Sequence, residues 1–254
     1  MIDEKPAVAD PHWGQLGREE KAECILRTVE NFIGRDVSQG VWLDVGCGSG
    51  GVAATLAQHV KQVIGVDPES WQRWQQMCDK SPNLSFHAGS YRELEKVLAA
   101  ESADVVVCNQ VYEHVDDPQA LLSAIHRVMK PGGLCYFAGP NLLWPIEPHV
   151  FWPFVHWLPR LFAQRAMTAL GSKQAHCLDA WSWSYSRLTK AFVRAGFVAS
   201  GAISERIRAQ AQVSPSTFSR MAAHLPRSVV SVLTPVAPGF VFILTKPEAI
   251  AASP

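Results

Sequence analysis

No charge of either sign dominates this chain. Its 254 residues hold 23 Lys and Arg against 23 Asp and Glu. Without a basic run there is no electrostatic footprint for nucleic acid as the main partner. Cysteine never occurs as a C-x-x-C pair; the six lie at 24, 47, 78, 108, 135 and 177. That spacing argues against a zinc ribbon or a redox dithiol. Several sit inside apolar runs and read as small buried hydrophobes of a reducing compartment. No apolar run reaches the roughly 18 residues that a spanning helix needs. Met1 to Asp10 is polar and acidic, so no secretory leader is expected and the location is read as cytoplasmic. What is abundant is apolar residues, 48% of the chain. That suffices for the core of one α/β domain with insertions. No internal repeat is visible, and nothing in the sequence fixes an oligomeric state.

The chain is organised around Val41-Trp42-Leu43-Asp44-Val45-Gly46-Cys47-Gly48-Ser49-Gly50-Gly51. An apolar run ends in a glycine cluster, and Ala53, Ala54, Leu56 and Ala57 follow at helical spacing: strand, tight turn, helix start. Glycines let the backbone turn at positive φ and let a ligand lie against it. The helix beyond offers unpaired N–H groups. Gly46, Gly48 and Gly51 satisfy the G-x-G-x-x-G pattern of dinucleotide binding, with Asp67 near the expected acidic position. Gly46, Gly48 and Gly50 equally satisfy G-x-G-x-G. Asp44 helps to separate the two, because a carboxylate beside a pyrophosphate would repel it and beside a cationic ligand would attract it.

The remaining chain alternates. The spacing predicts a helix over 18–33, and Trp13 and Arg18 before it are candidates to close over a ligand. Strands are expected at 41–45, 62–67, 84–87, 103–108 and 134–138. Helices are expected at about 50–59, through Trp71, Trp74 and Met77, and over 92–100 and 117–129. Lys130-Pro131-Gly132-Gly133 reads as a sharp stop. Asp67 closes the second strand, where a carboxylate can accept both hydroxyls of a ribose; the plainer alternative is a helix N-cap. Residues 141–183 break the alternation with eight Trp and Phe residues and several prolines. They form an insertion at the carboxyl end of a strand, where open α/β sheets bind ligands. A helix resumes at 184–195. Strands near 197–206 and 239–245 read as an antiparallel pair joined by a second, partly helical insertion at 207–237. The whole is read as one domain: an N-terminal helical cap (1–37), a core (38–140), an aromatic lid (141–183) and a C-terminal part (184–246).

At Leu43–Gly50, Gly65-Val66-Asp67, Glu113-His114-Val115 with Asp117-Pro118, and Arg127–Gly133, the chain resembles the class I S-adenosylmethionine-dependent methyltransferases, especially the ubiquinone- and menaquinone-biosynthesis-like branch. The resemblance covers most of 38–140 and, more loosely, 184–206 and 239–246. It implies a Rossmann-like, seven-stranded, mostly parallel sheet with helices on both faces and the last strand antiparallel. S-adenosylmethionine is the implied cofactor, its sulfonium and ammonium groups suiting Asp44. Gly46, Cys47, Gly48 and Gly50 would flank its amino-acid part, Asp67 its ribose, and Asn109 and Gln110 its methionine side. Where the family usually has Gly-Asp, this chain has Gly89-Ser90. Ser90 would offer the adenine amine one hydroxyl without charge assistance.

Methyl transfer requires mainly alignment and exclusion of water. An acceptor hydroxyl gains from a general base. His114 is one candidate, with a structural His as its alternative; His149 is the other, with a polar lid residue as its alternative. Trp144, His149 and Trp152 are the candidate acceptor contacts. No metal is expected, since Glu147, His149 and His156 lack diagnostic spacing. The aromatic insertion is read as an apolar pocket for a small or lipid-linked acceptor. Weak peripheral membrane contact is the lesser reading, because 141–159 lacks Lys and Arg. The two rival functions are a catalytically silent binding subunit and an NAD-dependent oxidoreductase.

Overall fold

The computed structural model describes residues 17–147, 150–173, 175–178 and 181–248. Strands β1 (Val41–Val45), β2 (Gln62–Asp67), β3 (Leu84–Ala88), β4 (Ala103–Asn109) and β5 (Met129–Pro140) are joined through helices α2 (Gly51–Leu56), α3 (Trp74–Lys80), α4 (Leu94–Val97) and α5 (Pro118–Val128). Helix α1 (Arg18–Ile33) precedes them. These strands are parallel and ordered β3-β2-β1-β4-β5. After the insertion come α7 (Tyr185–Arg194), β8 (Val198–Gly201), a helical segment and β9 (Gly239–Thr245). The last strand lies antiparallel between β5 and β8, completing seven strands. The antiparallel pair expected of these two strands is therefore present.

The strands are apolar on both sides because both faces are covered. On β4, Val106 and Cys108 face one core layer together with Leu121, Ile125, Leu188 and Phe192 of α5 and α7. Val105 and Val107, one residue out of phase, face the other layer with Ala22, Ile25, Val29 and Leu56 of α1 and α2. Helix α5 starts where Asp117 accepts from the Gln119 and Ala120 amides and Pro118 opens the first turn. Helix α1 ends at Gly34 with φ 66°.

Several boundaries differ from expectation. The helix expected over about 50–59 is Gly51–Leu56, and the strand expected near 197–206 is Val198–Gly201, with Ile203–Val213 already helical, so the second insertion begins at 203 rather than 207. The helix expected over 92–100 is a 3-10 turn, Tyr91–Glu93, followed by a single turn, because Leu98 returns to extended backbone. Trp71 precedes α3 rather than lying in it. The Lys130–Gly133 stop is absorbed into β5, which begins at Met129 opposite Ala103 and shifts register before Val105. Long-range bonds extend it: Lys246 Nζ donates to the Met129 carbonyl at 2.9 Å, and Lys130 Nζ pairs with Asp104 at 2.7 Å.

The 141–183 insertion has a core of its own. A two-residue hairpin pairs β6 (Ile146–Glu147) with β7 (Trp152–Pro153), and α6 (Arg160–Ala169) follows. Val150, Val155, Ala163, Met167, Ala175 and Leu178 form a separate cluster, with Trp152 packed against it. Between β8 and β9 the partly helical insertion is three helices: α8 (Ile203–Val213), α9 (Thr217–Ala223) and α10 (Arg227–Leu233).

Candidate functional site

The site forms at the carboxyl ends of β1, β2 and β4. The turn after β1 needs left-handed backbone three times: φ is 71° at Gly46, 51° at Gly48 and 86° at Gly50. The glycines have different spatial reasons. A Cβ at Gly46 would lie 2.5 Å from Val111, and one at Gly50 2.5 Å from Phe86. A Cβ at Gly48 would meet nothing within 4 Å. Gly46 and Gly50 are thus required by protein packing, whereas Gly48 borders open space.

The loop is held from β2 and α3. Gly46 and Cys47 amides donate to the Val66 carbonyl at 2.8 and 3.2 Å. Asp67 Oδ2 accepts the Gly48 amide at 2.8 Å, and its Oδ1 accepts the Glu69 amide at 3.0 Å. Trp74 Nε1 donates to the Gly48 carbonyl at 3.0 Å, and its ring stacks on Phe86 at 4.9 Å. The sequence places Trp74 in a helix and Phe86 in a strand without a role at the site; Trp74 follows β2 and Phe86 lies on β3, and only the fold brings both to the glycine cluster. Asp67 is half-exposed at the strand end, and its two oxygens retain lone pairs for a further donor.

Asp44 is buried below this loop, 4% exposed, and its Oδ2 has no hydrogen-bond partner. Burial pushes its carboxyl up to about 7, with Asp67 adding to the rise and Arg18 and Lys21 opposing it. Arg18 reaches the loop: its Cβ and Cγ lie 3.0 Å from where Gly51 would carry a Cβ. Trp13 lies outside the described residues. Cys47 is also buried, which holds its thiol well above the usual range.

Asn109 ends β4 opposite Ala138. Gln110 follows at φ 59°, a conformation non-glycine residues seldom adopt, and its amide is held by the Ala138 carbonyl at 2.8 Å. That bend brings Val111 against Gly46. His114 is exposed on the next turn, its amide bonded to the Val111 carbonyl at 3.0 Å. Ser90 caps its own 3-10 turn: its hydroxyl accepts the Arg92 amide at 3.3 Å and its amide donates to Glu93.

The insertion is anchored to the loop after β4. Trp181 N donates to the Glu113 carbonyl at 2.7 Å, and Trp183 N to the Tyr112 hydroxyl at 3.1 Å. The Tyr112 hydroxyl in turn donates to the Pro140 carbonyl, and burial raises its pKa above the usual phenol range. Trp144 is half-buried at the insertion's entrance, its carbonyl accepting from His156 Nε2 at 2.9 Å. Trp152 packs on the satellite cluster instead, which is the plain reading of an aromatic insertion. His149 lies outside the described residues. Among the described residues, no three His, Cys, Asp or Glu side chains group to hold a metal ion.

A glycine turn at the carboxyl edge, acidic residues ending β1 and β2, and a seven-stranded sheet with one antiparallel strand define the class: the class I S-adenosylmethionine-dependent methyltransferases. Within it, the family model described as a methyltransferase domain matches residues 17–199, and the chain belongs to that family. This decides the glycine motif against the dinucleotide reading. Similar curated proteins are ubiquinone biosynthesis O-methyltransferases. That of Hahella chejuensis is 35% identical over 103 residues, covering 39% of this chain and 42% of the relative. That of Leptothrix cholodnii is 34% identical over 128 residues, covering 46% and 50%. The matched stretch thus spans half or less of these relatives. Among solved structures, the 1,6-didemethyltoxoflavin-N1-methyltransferase of Burkholderia thailandensis, bound to 1,6-didemethyltoxoflavin and S-adenosylhomocysteine, aligns with TM-score 0.55 at 16% identity, covering 93% of this chain and 81% of its own. A [4+2]-cyclase aligns with TM-score 0.54 at 15% identity, covering 91% and 81%. At these identities the likeness is one of fold.

Proposed function

We propose that this protein transfers the methyl group of S-adenosylmethionine to a small or lipid-like acceptor, at oxygen. The observation that carries the reading is the space beside Gly48, bordered by Asp67 and underlain by the unpartnered Asp44 oxygen. A ligand with a ribose and a cationic amino-acid end suits that combination. Asp67 takes the ribose hydroxyls, exchanging or sharing its bond to Gly48. Asp44 faces the positive end. Gly46, Cys47, Gly48 and Gly50 supply a backbone wall, and Asn109 and Gln110 line the methionine side. The oxygen assignment leans on the relatives' names, O-methyltransferases. His114, exposed on the turn beyond Val111, is the base within the described residues, and His149 its alternative. Trp144 is the aromatic contact at the acceptor mouth. Trp152 serves that mouth indirectly, by supporting the satellite cluster.

When bound, S-adenosylmethionine supplies an activated methyl group; the chain's own task is to align an acceptor, hold water away and receive a proton. Incubating the protein with methyl-labelled cofactor and a fractionated extract of small molecules and lipids tests this directly. Label is expected in one apolar fraction. His114→Ala should lower turnover by roughly 10²–10⁴-fold with cofactor affinity kept; turnover within a few-fold of wild type would return His114 to a structural role. One observation favours a silent binding subunit as the second reading: the Ser90 hydroxyl is already engaged with the Arg92 amide. Cofactor binding without label in any fraction would select it.

A further inference from the structure

Helices α9 and α10 are built inside out. In a surface helix the apolar stripe faces the core. In α9 and just beyond it, Phe218, Met221 and Leu225 fall on one stripe, and all are exposed, Phe218 by 82%. In α10 and the 3-10 turn after it, the stripe Val229, Val232, Leu233 and Val236, at i, i+3, i+4 and i+7, is exposed as well, Val232 by 77%. The positions turned inward are Ser219, Val230 and Thr234. The end of this segment is tied to the root of the other insertion. Asn141, the first residue after β5, donates its side-chain amide to the Pro235 and Ala237 carbonyls at 2.9 and 2.8 Å, fastening the end of α10 to the root of the 141–183 segment. That segment exposes Phe151, Leu161 and Phe162.

Within the two segments the charges are mostly of one sign. From 203 to 238 there are four arginines, at 206, 208, 220 and 227, and a single carboxylate, Glu205. Glu205 is buried and lies 2.8 Å from Arg227 and 3.8 Å from Arg208, and Arg206 donates to Gln210 at 2.9 Å, so the exposed charges on α9 and α10 themselves are Arg220 and Arg227. From 150 to 173 the charged residues are Arg160, Arg165 and Lys173, without a carboxylate. Both insertions leave the sheet at the same carboxyl edge, since Pro140 pairs with Gly239 there.

We infer that the α9–α10 face docks on an anionic lipid bilayer, its apolar side chains entering the acyl boundary and its arginines meeting the headgroups. Exposed apolar side chains on basic amphipathic helices bind interfaces by buried area plus attraction to anionic lipid. A second copy of the chain is the poorer occupant, because a two-fold contact would lay the arginine-bearing face on itself. The docking does not depend on methyl transfer, and its test does not read it.

The full chain is floated with vesicles of phosphatidylcholine alone and of phosphatidylcholine with phosphatidylglycerol in equal parts. It should float with the anionic vesicles and far less with the neutral ones. Phe218→Glu combined with Val232→Glu should weaken that partition by more than roughly tenfold, because two apolar anchors are lost. Arg220→Gln should weaken it by about fivefold, the value of one basic residue near an anionic surface. All three positions are exposed, so unchanged far-ultraviolet dichroism and melting are expected. Wild-type protein that fails to float, equal flotation on both vesicles, or full flotation of the double variant would overturn the inference. A concentration-dependent dimer in sedimentation velocity that the double variant lacks would assign the face to a second copy instead.

Discussion

Two phenylalanines define the two halves of this molecule. Phe137, on β5, is fully buried, packed between Tyr112 at 5.4 Å and Phe192 at 5.0 Å. Phe151, in the first insertion, is 79% exposed. The sheet half of the chain turns its large apolar groups inward on two layers. The inserted half has a cluster of six small and medium side chains and leaves most of its aromatic surface outside. A residue type that stabilises one half is therefore free for recognition in the other.

Truncation should break the comparison most visibly. Phe137→Ala should cost about 3–5 kcal/mol of unfolding free energy, the usual loss for a buried aromatic, whereas Phe151→Ala should stay within about 0.5 kcal/mol. Urea unfolding of both variants checks it; similar losses would mean the insertion is packed as tightly as the sheet.

Asp44 gives the sheet half a pH signature. Its carboxyl is held at about 7 by burial, above the ordinary 3.8. The native protein therefore keeps a proton that the unfolded chain releases. The stabilisation is complete below pH 4 and is lost as pH rises through 7, by an amount on the order of 4 kcal/mol at most. Asp44→Asn should flatten that part of the profile. A cationic ligand should bind the wild type more tightly at pH 8 than at pH 6, and the variant should lose that dependence. Parallel profiles for the two proteins would remove Asp44 from both effects.

Asp67→Ala should weaken cofactor affinity by about 1.5–3 kcal/mol, the range for hydrogen bonds to a charged acceptor. Calorimetric titration with S-adenosylhomocysteine reads it. Because Asp67 also holds the Gly48 amide, Asp67→Asn should recover part of the loss. Unchanged affinity in the alanine variant would sink the ribose assignment.

The smallest global effect is expected from Trp152→Ala. Its side chain packs on the satellite cluster, so hydrogen exchange should quicken over 150–169 and stay unchanged over 41–140. Faster exchange in the sheet would show that the two halves unfold together. Trp144→Ala should raise the acceptor KM while leaving cofactor affinity near normal.

Much of the sheet half was legible because its rules are local. An apolar run, a turn of three glycines and an Asp two residues ahead of the first can be read in one direction along the chain. The acid at 67 and the Asp117-Pro118 helix start are equally local. The antiparallel last strand followed from the lack of a crossover helix. The limits of β5 did not, because Lys246, more than a hundred residues away, binds the Met129 carbonyl and draws the strand back past the glycines. The reason each glycine is needed was not legible either. Val111 from the loop after β4 and Phe86 from β3 exclude side chains at Gly46 and Gly50, while Gly48 is left facing open space. The roles of Trp74 and Arg18 at the loop likewise depend on neighbours distant in sequence. For the insertions, periodicity announces an amphipathic helix but is silent on which side the protein lies. The apolar stripes of α9 and α10 face outward because Asn141 clamps the segment by its backbone carbonyls and the inward positions are filled by Ser219, Val230 and Thr234. The sequence reading went only as far as a partly helical insertion at 207–237; packing in three dimensions decided that its apolar stripes point away from the core.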